Sequence, residues 1–120
     1  MKPASAKAKG RRAENLFVDY LRRHGVPHAE RRARTGAKDQ GDITGWPGVC
    51  VEIKATQKIT IPQWLRELDA EMVHAHAATG FVAYKPTGVV DPDGWYCILR
   101  PAVLLELMAA AGLIDREHQP

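Results

Sequence analysis

Gly41-Asp42-Ile43-Thr44-Gly45-Trp46-Pro47-Gly48-Val49-Cys50-Val51-Glu52-Ile53-Lys54-Ala55-Thr56 is the stretch on which the fold turns. Side chains alternate along a strand, so Val49, Val51, Ile53 and Ala55 share one face while Cys50, Glu52, Lys54 and Thr56 share the other. Trp46-Pro47-Gly48 has the punctuation of a turn, and a hairpin is expected in which Asp42 to Gly45 pairs with Val49 to Thr56. The apolar face packs inward. Glu52 and Lys54 then point the same way, with Asp42 at the mouth of the neighbouring strand.

Upstream, His28 to Arg34 reads as an arginine-rich strand and Thr35 to Gly41 as a glycine-bearing loop. Before these, Ala13, Leu16, Phe17, Tyr20 and Leu21 recur at helical spacing from Arg11 to His24, and Gly25 and Pro27 supply the stop. Glu14 lies on the face of Phe17, Val18 and Leu21, at the i+3, i+4 and i+7 spacings, so a carboxylate sits beside the buried stripe. Met1 to Gly10 reads as a flexible basic arm.

Downstream, Thr60 to Gln63 has the form of a capping box with Pro62 in the first turn. It opens a helix that turns Trp64, Leu65, Leu68, Met72 and Ala75 inward and runs to about Thr79, with Gly80 as its stop. Strands are expected over Phe81 to Tyr84 and Trp95 to Leu99. A last helix runs from Pro101 to about Ala111, and residues 115–120 form a frayed tail. The fold class is α/β in the order α-β-β-β-α-β-β-α, one domain over residues 11–114. His74 and His76 project about 200° apart on a helix and form no shared site. Asp91-Pro92-Asp93-Gly94 lacks the later glutamate of a calcium loop and reads as a turn. Trp64, Trp95 and Tyr96 read as core or dimer contacts, and Gln57 and Lys58 as weaker candidates for a phosphate backbone.

Cys50 and Cys97 lack the dense spacing of a disulfide framework, and no long apolar run marks a signal peptide or membrane span; reduced thiols and a cytoplasmic location are the expectation. The net charge of +3 is unevenly spread. Residues 1–40 hold 11 of the 17 basic side chains and 4 of the 14 acids, net +7, against −4 over the remaining 80 residues. Such asymmetry points to a polyanion. Arg11, Arg12, Arg31, Arg32, Arg34, Thr35 and Lys38, flanking Glu14 and Asp42, are the candidate phosphate contacts.

Two carboxylates on adjacent strands with a lysine two residues on suit phosphodiester cleavage. Hard divalent cations take oxygen ligands, and one to three convergent carboxylates suffice to hold Mg²⁺. With Arg12-Ala13-Glu14, the basic strand, Gly41-Asp42-Ile43 and Val51-Glu52-Ile53-Lys54, residues 10–100 resemble the PD-(D/E)XK nucleases, most closely the archaeal and phage Holliday junction resolvases. The resemblance implies a restriction-endonuclease-like mixed central sheet flanked by helices. It implies a catalytic centre of Glu14, Asp42, Glu52 and Lys54, with Asp42, Glu52 and Glu14 as ligands of Mg²⁺, for which Mn²⁺ substitutes. It further implies a homodimer that nicks four-way junctions symmetrically in DNA recombination and repair. Where those resolvases carry a serine in the loop before the aspartate, this chain offers Thr35 or Lys38. The same motif serves nucleases that act on flaps, ends or single strands, and a non-catalytic DNA-binding module of the same fold is a third reading.

Overall fold

The computed structural model describes residues 5–33 and 39–118. The first helix, α1, spans Ala6–Arg23. The Ser5 hydroxyl caps it by accepting from the Ala8 N–H at 3.1 Å, so the helix takes in residues 6–10, assigned from sequence to a flexible arm. Its buried stripe is Ala13, Phe17, Val18 and Leu21.

Two short strands follow, β1 (Glu30–Arg31) and β2 (Ile43–Thr44), and they pair antiparallel with each other, Glu30 opposite Thr44 and Arg31 opposite Ile43. The expected hairpin between residues 42–45 and the Glu52 strand is therefore corrected. Gly41 and Gly45 both adopt positive φ, which limits the extended run to the residues between them. At Gly45 a Cβ would overlap the His28 carbonyl, so the chain crosses there only without a side chain.

The main sheet is mixed, with the order β3-β4-β5. Strands β3 (Val49–Lys54) and β4 (Thr79–Tyr84) run parallel, and β5 (Tyr96–Ile98) runs antiparallel to β4. A parallel pair needs a crossover, supplied by α2 (Ile61–His74). The crossover helix covers the second face of β3, so the strand is buried on both sides. Val51 and Ile53 pack with the α1 stripe, Ala83 and Trp95. Cys50 packs on the other side with Trp64, Leu68, Val82 and Tyr84. Phe17 stacks on Trp95 at 5.6 Å, and Trp64 lies 5.6 Å from Tyr84, so both tryptophans are core residues.

The capping box does not form. Thr60 makes no side-chain cap bond, and Gln63 donates instead to Glu67. The helix also ends before Gly80, through bonds from the His76 N–H to Val73 and the Ala77 N–H to Met72, with His76 left-handed at φ +51°. Gly80 lies inside β4, where a Cβ would meet Met72 and the Cys50 carbonyl. The last helix, α3, spans Pro101–Ala110 and buries none of its residues. Beyond it, Arg116 is paired with Glu106 at 2.7 Å within the segment expected to fray. Among the described residues no helix is long and apolar enough to cross a membrane.

Gly45 and Gly48 have nearly the same φ, +83° and +79°, but only Gly45 is crowded. Gly48→Ala should cost about 1 kcal/mol in backbone conformation, and Gly45→Ala about 2–4 kcal/mol once the collision with His28 is added. Urea unfolding of the two variants checks the difference, and equal losses would refute the steric account.

Candidate metal-binding active site

Asp42 is sewn to β3 on both sides of Glu52. Its N–H donates to the Val51 carbonyl at 2.8 Å, and its Oδ2 accepts from the Ile53 N–H at 2.8 Å. Its own carbonyl accepts from the Arg32 N–H at 2.8 Å, which ties the β1 side to the same point. Gly41 makes the approach possible: φ is +95°, and a Cβ would stand 3.0 Å from both Cys50 Sγ and the Val51 carbonyl. The side chain of Asp42 is thereby buried against the edge of β3.

Glu52 projects from β3 towards α2 and is also buried. Lys54 Nζ lies 3.8 Å from Glu52 Oε1 and 3.1 Å from Oε2 of Glu67, on α2. Glu52 and Lys54 thus share a face of β3, as strand alternation predicts; Asp42 reaches the same strand through its bonds to residues 51 and 53 and not through the expected hairpin ladder. Glu14 is engaged by Arg31, its Oε2 accepting from Arg31 Nε at 2.8 Å, and it is not among the carboxylates that converge with Glu52.

Two carboxylates not singled out from sequence complete the cluster. Asp39, Glu52 and Glu71 each place a carboxylate oxygen so that all three lie within 4.8 Å of one another. Glu71 comes from α2 and is as buried as Glu52, each 5% exposed. Its signal was in the sequence: it stands seven residues after Trp64 and three after Leu68, on the stripe that faces the sheet. Asp39 comes from the loop, where its Oδ1 accepts from the Gly41 N–H at 2.9 Å and its carbonyl accepts from His74 Nδ1 at 2.9 Å. His74 therefore holds the loop to the end of α2 and is more than an ordinary helix residue.

The electrostatics are those of crowded, dehydrated acids. Burial, a hydrogen bond shared with Glu71 and the charges of Asp42 and Glu71 push the Glu52 carboxyl far above its usual range, offset in part by Lys54. Glu71 is pushed up by burial as well; the bond with Glu52 acts against that, and the charges of Asp39 and Asp42 reinforce it. Glu52 Oε2 and Glu71 Oε2 are buried without a hydrogen-bond partner. Unsatisfied carboxylate oxygens in an all-oxygen donor set fit a hard divalent cation such as Mg²⁺. Cys50 adjoins this set but is held as a thiol, pushed up to about 12 by burial first and then by Glu71, Glu52 and Asp39. Both cysteines are free.

Of the candidate phosphate contacts, Arg11, Arg12 and Arg31 are exposed. Arg32 is turned inward, donating to Gln40 Oε1 at 3.1 Å and to the Ile43 carbonyl at 3.3 Å, so its guanidinium braces the approach to Asp42. Arg34, Thr35 and Lys38 lie outside the described residues. Arg22 is exposed and donates from Nε to the Ala29 carbonyl at 2.8 Å. Gln57 and Lys58 are exposed just past β3. The Asp91–Gly94 segment is a turn, with Asp91 capping it and Asp93 accepting from Tyr20. Comparison with protein-family models, curated proteins and solved structures returns no match for this chain.

The raised acids make a pH prediction. An acid whose folded pKa lies above its unfolded value, here 4.5, stabilises the fold below that value and loses the contribution as pH rises towards the folded pKa. Metal-free protein should therefore lose stability from pH 5 to pH 8, by at most about 1.4 kcal/mol per pH unit for each proton held. Glu71→Gln should flatten the slope. Urea titrations in chelator at several pH values measure it, and identical slopes for both proteins would exclude a proton held by the pair.

Proposed function

We propose that this chain is a metal-dependent DNA endonuclease of the PD-(D/E)XK type with a restriction-endonuclease-like fold, acting as a homodimer on four-way junctions. The observation that carries the reading is the Asp42-Glu52-Lys54 geometry: a carboxylate pinned to the backbone on either side of Glu52, with an ammonium 3.8 Å away. Asp42 and Glu52 would hold Mg²⁺, with Mn²⁺ able to substitute, and the resemblance adds Glu14. Bound there, the cation supplies positive charge against the phosphate and favours deprotonation of water.

The protein's own groups do the rest. Lys54, steadied by Glu67 and Glu52, would act on the scissile phosphate or the attacking water through its ammonium group. Arg11, Arg12 and Arg31 on the exposed basic third neutralise phosphates without reading bases, as shape-selective binding requires. Arg31 is already paired with Glu14 at 2.8 Å, so Arg11 and Arg12 carry the uncompensated charge of this surface.

A four-way junction has approximate two-fold symmetry, which two identical sites related by a two-fold axis can match. For the surface that pairs them, α3 is the candidate. Val103, Leu104, Leu105, Leu107 and Met108 take up more than half the circumference of the helix, yet none is buried. Leu104, Leu107 and Met108 share one face of α3 and are 36–43% exposed, with Leu113 just beyond the helix 72% exposed, so two copies could bury them against each other.

On a synthetic junction with Mg²⁺, wild-type protein should give paired symmetric nicks, and Glu52→Gln and Lys54→Ala should each cut at least about 100-fold more slowly while still binding the junction. Linear duplex cut as fast as the junction would sink junction specificity, and preference for flaps, ends or single strands would move the substrate. Unchanged cleavage by both variants would refute the site.

Sedimentation equilibrium should find the wild-type chain at twice its 13.3 kDa monomer mass, and a Leu105→Lys, Met108→Lys double variant at the monomer mass. A variant that stays dimeric would remove α3 from the interface.

A further inference from the structure

We infer that α2 supplies a ligand to the metal centre: Glu71, together with Glu52 and Asp39, forms a site for one hard divalent cation between β3 and the crossover helix. The role of this site in cleavage rests on the nuclease reading above, but its existence does not.

Three elements contribute one carboxylate each, from the loop before Gly41, from β3 and from α2, and their oxygens converge within 4.8 Å. Convergence of acids alone would carry little. The second observation is that Glu71 and Glu52, both 5% exposed, each keep an Oε2 that no donor group of the protein satisfies, apart from any proton the two acids share between them. An orphaned buried acceptor is costly, more so when charged, and a fold keeps one where something else completes it.

The cations facing the cluster do not complete it. Lys54 reaches Glu52 only at 3.8 Å and is held closer to Glu67. Arg32 directs its two terminal nitrogens to Gln40 and Ile43, away from the acids, and its buried Nε meets no acceptor. His74 approaches the Asp39 carbonyl, and the remaining neighbour, Asp42, adds negative charge.

The ligand chemistry narrows the ion. The donors are carboxylate oxygens, and the neighbouring sulfur, Cys50, is a buried thiol whose Sγ approaches the Gln40 carbonyl at 3.5 Å. Oxygen donors without thiolate or imidazole suit Mg²⁺ or Mn²⁺. The resemblance implies Glu14 as the third carboxylate, yet Glu14 is paired with Arg31, and Glu71 stands where Glu52 can share an ion with it. The rigidity is suitable too: Asp39 is anchored through Gly41 and His74, and Glu71 rides on a helix packed by Trp64 and Leu68.

The test is calorimetric titration of the full chain with Mn²⁺ in the absence of DNA. Wild-type protein should bind, Glu71→Gln should bind at least tenfold more weakly, and Glu14→Gln should stay within twofold of wild type. Glu71→Gln should also lose the rise in melting temperature that Mn²⁺ gives the wild type. Wild-type affinity in folded Glu71→Gln, or no Mn²⁺ binding by the wild type, overturns the proposal. Should Glu71→Gln fail to fold, the exposed Asp39→Asn decides on the same terms. A wild-type chain that binds Mn²⁺ through Glu71 and leaves every DNA intact would sink the nuclease reading and leave this site standing, whereas DNA cleavage with undiminished Mn²⁺ affinity in Glu71→Gln would do the reverse.

Discussion

The bond from the Ile53 N–H to the Asp42 carboxylate, with its companion from the Asp42 N–H to the Val51 carbonyl, joins the two halves of the domain. Strand β3 uses one edge for β4, and its other edge would otherwise leave backbone groups unpaired in the interior. A side chain closes that edge in place of a strand. Because the two bonds fall on residues 51 and 53, Glu52 is held between them. Arg32 extends the tie to the β1–β2 pair through the carbonyl of the same residue. One aspartate thus positions the acidic centre and connects the small sheet to the large one.

Placing carboxylates at this junction is electrostatically unfavourable. The α1 side of β3 is apolar, with Ala13, Phe17, Val18 and Leu21 against Val51 and Ile53, and supplies hydrophobic stabilisation. The α2 side combines Trp64, Leu68 and Tyr84 with Glu52 and Glu71. Two dehydrated acids in contact repel if both ionise, and retaining a proton relieves the repulsion, as their raised pKa values indicate. Strongly shifted acids of this kind concentrate where a protein does chemistry, because a fold selected for stability alone would fill the space with hydrocarbon.

How far this was legible from sequence follows from the range of the forces involved. Helix α1 and the two faces of β3 are written in local periodicity, and the pairing of Glu52 with Lys54 follows from strand alternation. Asp42 was found because Gly41 and the turn at Trp46–Gly48 bring it beside β3, though not by the expected ladder. Strands of two residues, such as β1 and β2, leave no periodic signal, and their pairing is set by the crossings at Gly41 and Gly45. The capping box failed because the competing partner of Gln63 is Glu67 one turn on. Glu71 lies on the buried stripe of α2 with Trp64 and Leu68, so its burial is written in the same local periodicity that sets Glu14 beside the stripe of α1. Asp39 enters only through the path of a loop, which no pattern in the sequence specifies.

The sheet order gives the proposed dimer a geometric rationale. Strand β3, which carries Glu52, lies at one edge of the order β3-β4-β5, and α3 follows directly from β5 at the other. Arg100, the residue before α3, is paired with Asp69 on α2 at 2.8 Å, so the start of the apolar helix is fixed to the body of the domain. A second copy docking along α3 would cover the exposed leucines without occupying the edge of β3 closed by Asp42. The proposed interface would then follow β5 while the acidic cluster lies where α2 crosses β3. Such a division would let an apolar interface form apart from the buried acids, and it requires neither surface to change its charge or hydrophobicity for the sake of the other.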